Sequence, residues 1–199
     1  GDSKRKENIN QIISMIMKRL NLLLAAILFV AVSAFGATDY GLTVGGVDVT
    51  SDNCSNITGD NIKQYKTDVE YYIKYDPSTK TLTIKNIKIK RTGSYNRAIL
   101  NNDVDGLKTV FIGDNDLDTE DSSPVRLNNN TTITSLDGGK TGIYGDSEDA
   151  ITIGEGKTLI IDNAHLAIKA YNSNAIIGDT GDETVIIKGG SYVSAITTS

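Results

Sequence analysis

The sequence contains no tryptophan, two prolines, one cysteine and one histidine. The single cysteine, Cys54, excludes an intramolecular disulfide framework, and we expect it to be a small buried apolar residue rather than a reactive thiol. The single histidine, His165, leaves no histidine and cysteine cluster with the spacing of a zinc site. Nothing near it in the sequence indicates a catalytic triad. These shortages exclude disulfide-stabilised and zinc-dependent classes of protein.

Basic residues are also in short supply. The chain has 20 lysines and arginines against 25 acidic residues, which gives a net charge of −5, and its basic residues are dispersed. Nucleic-acid binding needs lysine and arginine clustered on one face, because they must neutralise phosphates. We therefore expect no nucleic-acid partner.

Isoleucine, valine, leucine and threonine are abundant, whereas the chain has three phenylalanines and two methionines. β-Branched residues favour strands, and 19 glycines with frequent asparagine and aspartate supply turns at short intervals. Apolar residues alternate or cluster in twos and threes, without the periodicity of a helix. The sequence therefore predicts an all-β protein.

Residues 17–36 have the pattern of a secretory signal peptide. Two basic residues precede the apolar run Leu20–Val32, and Ala34 and Gly36 place small side chains where signal peptidase requires them. The run is shorter than the roughly 20 residues of a transmembrane helix. An uncleaved anchor is the alternative. The pattern predicts a secreted, periplasmic or cell-surface protein, with no membrane contact once the peptide is removed.

Two further boundaries follow from the ends of the chain. Residues 1–16 are polar or patternless and precede Met17, so we interpret them as an upstream extension that is not native. Strand-like sequence continues to Ser199 without a cap. The sequence leaves open whether the fold continues beyond that residue.

A pattern of about 25 residues recurs along the second half of the chain. It begins at Ala98-Ile99, Pro124-Val125, Ala150-Ile151 and Ala175-Ile176, at intervals of 26, 26 and 25 residues. Each unit continues with a second and a third short apolar cluster, separated by turns. A unit of three strands without a helix cannot bury its own apolar face, so the units must stack on one another.

We interpret the repeat as a parallel β-helix, in which each unit is one coil and equivalent strands form three parallel sheets. Inward side chains then form aliphatic ladders with a spacing of about 4.8 Å. We expect Ile151 to stack on Ile176, and Ile161 on Ile187. A β-sandwich is the alternative, but it predicts hairpins and no regular spacing of the Ala-Ile motif.

The region before the repeats is less regular. Residues 71–90 alternate apolar and polar side chains around a turn at residues 76–79, which is typical of a surface hairpin. Residues 40–62 contain two more short strands around Gly45-Gly46. We interpret residues 37–95 as an N-terminal β cap with the first coil, because a solenoid needs its open end covered. Residues 96–199 contain the other coils.

The segments "YGLTVGGVDVTSDN" and "YDPSTKTLTIKN", followed by units of the "GLKTVFIGDN" and "GKTLIID" kind, occur in that order. They resemble the secreted right-handed β-helix proteins of gut and oral anaerobes such as the Bacteroides group. Some of those proteins are labelled as carrying a carbohydrate-binding domain. The resemblance covers Tyr40 to the C-terminus and implies a secreted right-handed parallel β-helix that contacts carbohydrate. It includes no catalytic signature and implies no site residue.

The densest acidic segment is "GDNDLDTED", with Asp114, Asp116 and Asp118 at alternate positions. Calcium prefers several carboxylate oxygens, so these three residues are the candidate metal ligands. The rest of an EF-hand loop is absent, because Val125 stands where its last ligand would be. A solvated face or turn is the alternative. Apart from this calcium site, the sequence indicates no cofactor.

Tyrosines are the candidates for ligand contact, because an aromatic face can stack on the apolar face of a sugar ring. We expect seven of them to be exposed: Tyr71, Tyr72, Tyr75, Tyr95, Tyr144, Tyr171 and Tyr192. Tyr144, Tyr171 and Tyr192 form the predicted ligand-binding set. Alternatively, these tyrosines serve strand pairing.

Three functions stay open at this point. The first is a non-enzymatic binding or adhesion module whose ligand is a polysaccharide or surface glycan. The second is a polysaccharide lyase or glycoside hydrolase, or a fragment of one, that uses the acidic segment. The third is a structural stalk. The sequence does not determine the oligomeric state.

Overall fold

The computed structural model describes residues 14–19, 36–93 and 95–199. Contacts divide the chain into two units, Gly1–Thr38 and Asp39–Ser199. In the first unit residues 14–19 are helical and exposed. Most of the predicted signal peptide and of the predicted upstream extension lies outside the described residues. No helix of the described part has both the length and the apolar character needed to cross a membrane.

The second unit is built from short strands joined by turns. In chain order the strands are β1 (Asp39–Val44), β2 (Val47–Thr50), β3 (Ile62–Gln64), β4 (Tyr72–Asp76), β5 (Thr81–Lys85), β6 (Ile87–Arg91), β7 (Ile99–Asn101), β8 (Leu107–Ile112), β9 (Asn115–Thr119), β10 (Val125–Leu127), β11 (Thr131–Leu136), β12 (Thr141–Gly145), β13 (Ile151–Ile153), β14 (Thr158–Asp162), β15 (His165–Tyr171), β16 (Ile176–Gly178), β17 (Thr184–Lys188) and β18 (Tyr192–Thr198).

These strands form three sheets. The first sheet has the order β2-β1-β7-β10-β13-β16, the second β4-β5-β8-β11-β14-β17 and the third β3-β6-β9-β12-β15-β18. From β5 onwards, each strand pairs in parallel with the strand three places further along the chain. The fold is therefore a parallel β-helix of about four turns with coils of about 26 residues. The β-sandwich alternative is wrong.

The predicted ladders are present, and their members in the last coil are the least buried, since Ile176 is half-buried and Ile187 is 53% exposed. Ile151 pairs in register with Ile176, and Ile161 pairs with Ile187. Ile151 and Ile161 are fully buried. Burial of such side chains is the main favourable term in folding. Stacking of successive coils supplies it here.

Some inward positions hold residues that are not aliphatic. At these positions a bulky side chain can lie beside a small one of the next coil, and a polar side chain can be buried. Phe111 lies beside the small Ser135 in the second sheet, and both are buried. Asn101 is buried at the end of β7, and its Nδ2 donates hydrogen bonds to Thr131 Oγ1 at 3.1 Å and to Val104 O at 3.0 Å. The interior therefore satisfies the polar groups that it buries there.

Antiparallel strands cover the first edge of all three sheets. β1 pairs antiparallel with β7, β3 with β6 and β4 with β5. The β1–β2 hairpin turns at Gly45 and Gly46, both at positive φ, as the sequence indicated. The predicted surface hairpin ends earlier than expected, at Lys85, because Asn86 turns the chain at a φ of 51° and β6 joins the third sheet. The predicted N-terminal cap is thus made of edge strands.

Three of the seven tyrosines do not have the exposure expected of them: Tyr72 and Tyr144 are half-buried, and Tyr75 is buried. Tyr75 lies on β4 with only 5% of its surface exposed, and its ring centroid is 5.2 Å from that of Tyr40. The alternation of β4 places Tyr75 and Ile73 on the same inward face. Tyr75 is therefore part of the core beneath the cap and is no candidate for ligand contact.

We expect the two faces of β14 to differ in their contribution to stability. Replacing Ile161 by alanine should lower the free energy of unfolding by about 2 to 5 kcal/mol, because the side chain is fully buried in a ladder. Ile160→Ala is the matched control, since Ile160 is the adjacent, half-buried residue on the outward face. Urea denaturation measures both losses. Equal losses would contradict the assignment of the two faces.

Candidate functional site

The six residues selected from the sequence all lie on or beside the third sheet. Its inward residues include Leu117, Ile143 and Ile168, which are at most 1% exposed. The residues between them point outward on the same strands. We call the outward surface of β6, β9, β12, β15 and β18 the third-sheet face. Asp116 and Asp118 lie on β9, Tyr144 on β12, Tyr171 on β15 and Tyr192 on β18, and Asp114 immediately precedes β9.

The aspartates of β9 are paired with lysines of β6. Asp116 is in register with Lys88, and the carboxylate lies 3.1 Å from the ammonium group. Asp118 is in register with Lys90 at 3.7 Å, and Lys90 also lies 3.4 Å from Glu120. The alternating lysines of β6 therefore face the alternating acids of the next coil.

Asp114 lies apart from the other two aspartates, at the corner before β9. Its Oδ2 is 2.6 Å from Lys66 Nζ, and its Oδ1 accepts a hydrogen bond from the backbone N–H of Lys140 at 3.2 Å. Each predicted metal ligand is thus paired with a different lysine. Among the described residues no group of three histidine, cysteine, aspartate or glutamate side chains is placed to hold a metal ion. Calcium binding stays a prediction, and it would require these carboxylates to leave their lysines.

Asp118 is the least compensated acid of the third-sheet face. Burial raises the pKa of its carboxyl, Lys90 opposes that rise, and Asp146 and Asp116 add to it. Its Oδ1 is buried without a hydrogen-bond partner among the described residues. A desolvated carboxylate with one partner retains a cost of ionisation.

Tyr144 lies flat on the sheet because its neighbour on the strand has no side chain. A Cβ placed on Gly142 would be 2.4 Å from both Cε2 and Oη of Tyr144, so the ring occupies the space above that glycine. Burial raises the pKa of the Tyr144 hydroxyl, and the carboxylates of Asp116 and Asp118 raise it further. An aromatic surface therefore lies beside two carboxylates.

A row of small residues continues from Gly142 across the later coils. Gly142 is in register with Ala167, and Ala167 with Ser194. The next outward row on one side contains Tyr144 and Lys169, and the row on the other side begins with His165 and Tyr192. The small side chains left uncovered in this row are those of Ala167 and Ser194, because the ring of Tyr144 covers Gly142.

Tyr171 and Tyr192 lie on the strands of the last two coils. Tyr192 is 65% exposed, and its ring meets that of His165 edge-on at 5.1 Å. Tyr171 is 39% exposed, and Lys169 Nζ lies 4.2 Å from its ring centroid. That nitrogen also donates a hydrogen bond to Tyr171 Oη at 2.8 Å. Both tyrosines are therefore held in place by neighbours on the third sheet.

The three tyrosines are spread out rather than gathered in one pocket. Tyr192 is in register with His165 and Tyr171 with Thr198, so Tyr171 and Tyr192 lie six residues apart along the strand direction. That separation is roughly 20 Å at the rise of an extended chain. Tyr144 lies between these two levels. An arrangement of this length can contact an extended ligand.

Sequence reasoning missed two features of the third-sheet face. The pairing of β6 with β9 was overlooked, although Lys88 precedes Asp116 by 28 residues, about one coil. Tyr65 was also missed; it follows β3, is 37% exposed and lies near Tyr144. The coil spacing could have identified the lysine and aspartate pairs. No sequence signal identifies Tyr65, because β3 pairs antiparallel and lies outside the repeat.

Comparison with known proteins found no matching family model, no matching curated protein and no matching solved structure. A β-solenoid by itself does not indicate a function, because folds host unrelated activities. What this protein does must therefore be inferred from the chemistry of its surfaces.

The raised pKa of Asp118 predicts a pH-dependent effect of its removal. The folded state binds the Asp118 proton more tightly than the unfolded state, whose carboxyl has the ordinary value of 3.8. The favourable contribution of the neutral carboxyl is thus lost as the pH rises through the folded pKa. We expect Asp118→Asn to increase the free energy of unfolding at pH 7, with a gain that shrinks as the pH falls below the folded pKa. Chemical denaturation across this pH range measures it.

Asp116→Asn is the control, because it removes a neighbouring acid whose carboxylate is paired at 3.1 Å. It should give no gain, since it breaks a surface ion pair that contributes at most about 1 kcal/mol. A pH-independent effect of Asp118→Asn would contradict the prediction.

Proposed function

We propose that the protein is a secreted, non-enzymatic module that binds a polysaccharide or surface glycan through the third-sheet face. The observation that carries this proposal is the placement of Tyr144, Tyr171 and Tyr192 on the outward face of one sheet, at separate levels along the strand direction. The predicted signal peptide supports secretion. A periplasmic or cell-surface location would bring the face into contact with glycans.

The chemistry of the third-sheet face suits a sugar chain. Aromatic rings offer apolar faces of low conformational entropy, and sugar rings have apolar faces that can cover them. The lysines and aspartates beside the rings supply charged hydrogen-bond donors and acceptors for hydroxyl groups. Since Lys88 pairs with Asp116 and Lys90 with Asp118, the acidic segment carries little uncompensated charge. A neutral or weakly charged glycan therefore fits this face better than a strongly charged polymer.

The shape of the face favours an extended ligand over a small one. Small molecules bind in concave sites that bury most of their surface. The third-sheet face is a shallow surface with tyrosines at separate levels, so its contacts are distributed. Weak contacts to successive units of one chain add up through effective concentration. A polysaccharide can make such contacts, whereas a monosaccharide cannot.

One observation favours a second candidate, a glycoside hydrolase that uses β9. The proton donor of such an enzyme needs a raised pKa, and burial raises the pKa of Asp118. Its partner would be Asp116, two residues away on the same outward face. Against this candidate, both acids lie on the same strand, whereas the donor and the base must flank the scissile bond. Asp116 is also held by Lys88.

Binding is tested with a glycan array and then with affinity electrophoresis on the polysaccharides that bind. We expect Tyr144→Ala and Tyr192→Ala each to weaken binding about three- to tenfold, the loss that follows from one aromatic stacking contact. Tyr71→Ala is the matched control, because Tyr71 is 50% exposed and precedes β4 of the second sheet. It should bind like the unchanged protein.

Two outcomes would contradict the proposal. The first is no binding to any polysaccharide, and the second is an equal loss for Tyr71→Ala. New reducing ends in the mixture, abolished by Asp118→Asn, would instead establish the hydrolase. Repeating the measurement with a calcium chelator tests the predicted role of Asp114, Asp116 and Asp118.

A further inference from the structure

A concave surface lies on the first sheet, away from the third-sheet face. It is a pocket of about 480 Å³ beside Arg126 of β10 and Thr152 of β13. The turns that precede β10 and β13 form its walls, with Asp121 on one and Glu148 on the other. The pocket is polar and contains both guanidinium and carboxylate groups.

Arg97 is the unusual group in this pocket. Its guanidinium is half-buried and forms no hydrogen bond or ion pair with the residues that the structure describes. Burial lowers the pKa of Arg97, and the positive charge of Arg126 lowers it further. Glu148 and Asp179 oppose this effect from a distance. A desolvated cation without a direct partner is costly, so Arg97 is poised to bind an anionic group.

Arg126, in contrast, is fully engaged. Its Nη1 donates to Asp179 Oδ1 at 2.8 Å, its Nη2 donates to the other oxygen of that carboxylate, and its Nε bonds Asn128 Oδ1 at 2.6 Å. This fork fixes Arg126 across two coils, because Asp179 follows β16 while Arg126 lies on β10. Arg97 therefore lies beside a second guanidinium whose position is fixed and whose positive charge repels its own.

Hydroxyl groups and free carboxylates complete the pocket. Ser123 and Thr152 are buried, and their hydroxyl oxygens lie 2.6 Å apart. The carboxylates of Asp121 and Glu148 form no hydrogen bond with the described residues. Tyr95 stands at the edge with 87% of its surface exposed. The pocket thus offers a cation and two carboxylates that have no hydrogen-bond partner among the described residues, together with an aromatic ring.

We infer that this pocket binds an acidic saccharide unit, with the sugar carboxylate paired to Arg97. A carboxylate matches the planar fork of a guanidinium in a bidentate arrangement. The hydroxyl groups of the same sugar can donate to Asp121 and Glu148, and its apolar face can lie against Tyr95. A neutral sugar would satisfy the acids but leave Arg97 uncompensated. The saccharide part of this inference rests on the proposed function; the carboxylate part rests on Arg97 alone.

The full chain is titrated with each probe. Binding is measured by isothermal calorimetry and by the amide chemical shifts in ¹H–¹⁵N spectra. The probes are D-glucuronate and D-galacturonate, with D-glucose and D-galactose as neutral sugars of the same shape and acetate as a carboxylate alone. We expect the uronates to bind about tenfold more tightly than the neutral sugars, as one charge-assisted pair implies. The largest shifts should occur at Ser123 and Thr152.

Variants of Arg97 distinguish the planar geometry of its guanidinium from its positive charge. Arg97→Gln should remove the preference for uronates, and Arg97→Lys should restore it in part because the charge remains but the fork is lost. Lys108→Gln is the matched control, since it removes one positive charge from β8 of the second sheet. It should leave uronate binding unchanged. The melting temperature of Arg97→Gln establishes that the variant is folded.

Several results would overturn the inference. One is equal affinity for uronates and neutral sugars in the unchanged protein, a measurement that needs no variant. Another is a preference for uronates that is unaltered in folded Arg97→Gln. Acetate binding as tightly as the uronates would refute the saccharide part. Failure here, with polysaccharide binding still sensitive to Tyr144→Ala, would leave the proposed function intact. Loss of polysaccharide binding on the array, with uronate binding retained, would contradict the proposed function and leave uronate binding by the pocket intact.

Discussion

The in-register stacking of equivalent strands is the constraint on which the rest of this structure depends. Ile99, Val125, Ile151 and Ile176 form one continuous row, each paired with the next. A shift of one residue in any coil would turn its apolar side chains toward solvent and its polar ones inward. The register is therefore strongly specified by burial. Every surface feature inherits its position from it.

The third-sheet face illustrates how an interior constraint arranges an exterior. Because Ile89 and Leu117 stack inside, the residues on either side of them must align outside, and Lys88 faces Asp116 as a result. The same rule places Gly142 beside Ala167. Tyr144 then lies over the glycine because Gly142 has no side chain to fill that space. A surface built on rigid strands holds its rings in fixed positions, which lowers the entropic cost of binding a chain.

The first-sheet pocket has a different origin. Its walls are turns, which differ between coils, and apart from Arg126 of β10 its charged groups come from residues next to or between strands. Arg126 reaches Asp179 across 53 residues of sequence because two coils bring them close. The protein thus presents two kinds of surface, an open sheet face fixed by register and a polar pocket formed by its corners. In the functions proposed here, the third-sheet face binds an extended chain and the pocket one acidic unit.

Particular residues show how far the sequence could lead. The recurrence of Ala-Ile at Ala98, Ala150 and Ala175 determined the coil length, and the apolar clusters determined which side chains face inward, because an unstacked coil cannot bury its apolar face. Register then follows, and with it the presence of Tyr144, Tyr171 and Tyr192 on one sheet. This part of the candidate site was predictable, because side chains alternate strictly along a strand.

Other features were decided only by the tertiary structure. Tyr75 obeys the same alternation along β4. Which face of β4 would be buried depended on how the cap lies on the coils. The lysine partners of Asp114, Asp116 and Asp118 required the register of β6 against β9 and the path of the chain before it. Whether Arg97 would have a carboxylate partner depended on which carboxylate Arg126 would bind. Such pairings depend on side-chain reach and corner geometry, which local sequence does not encode.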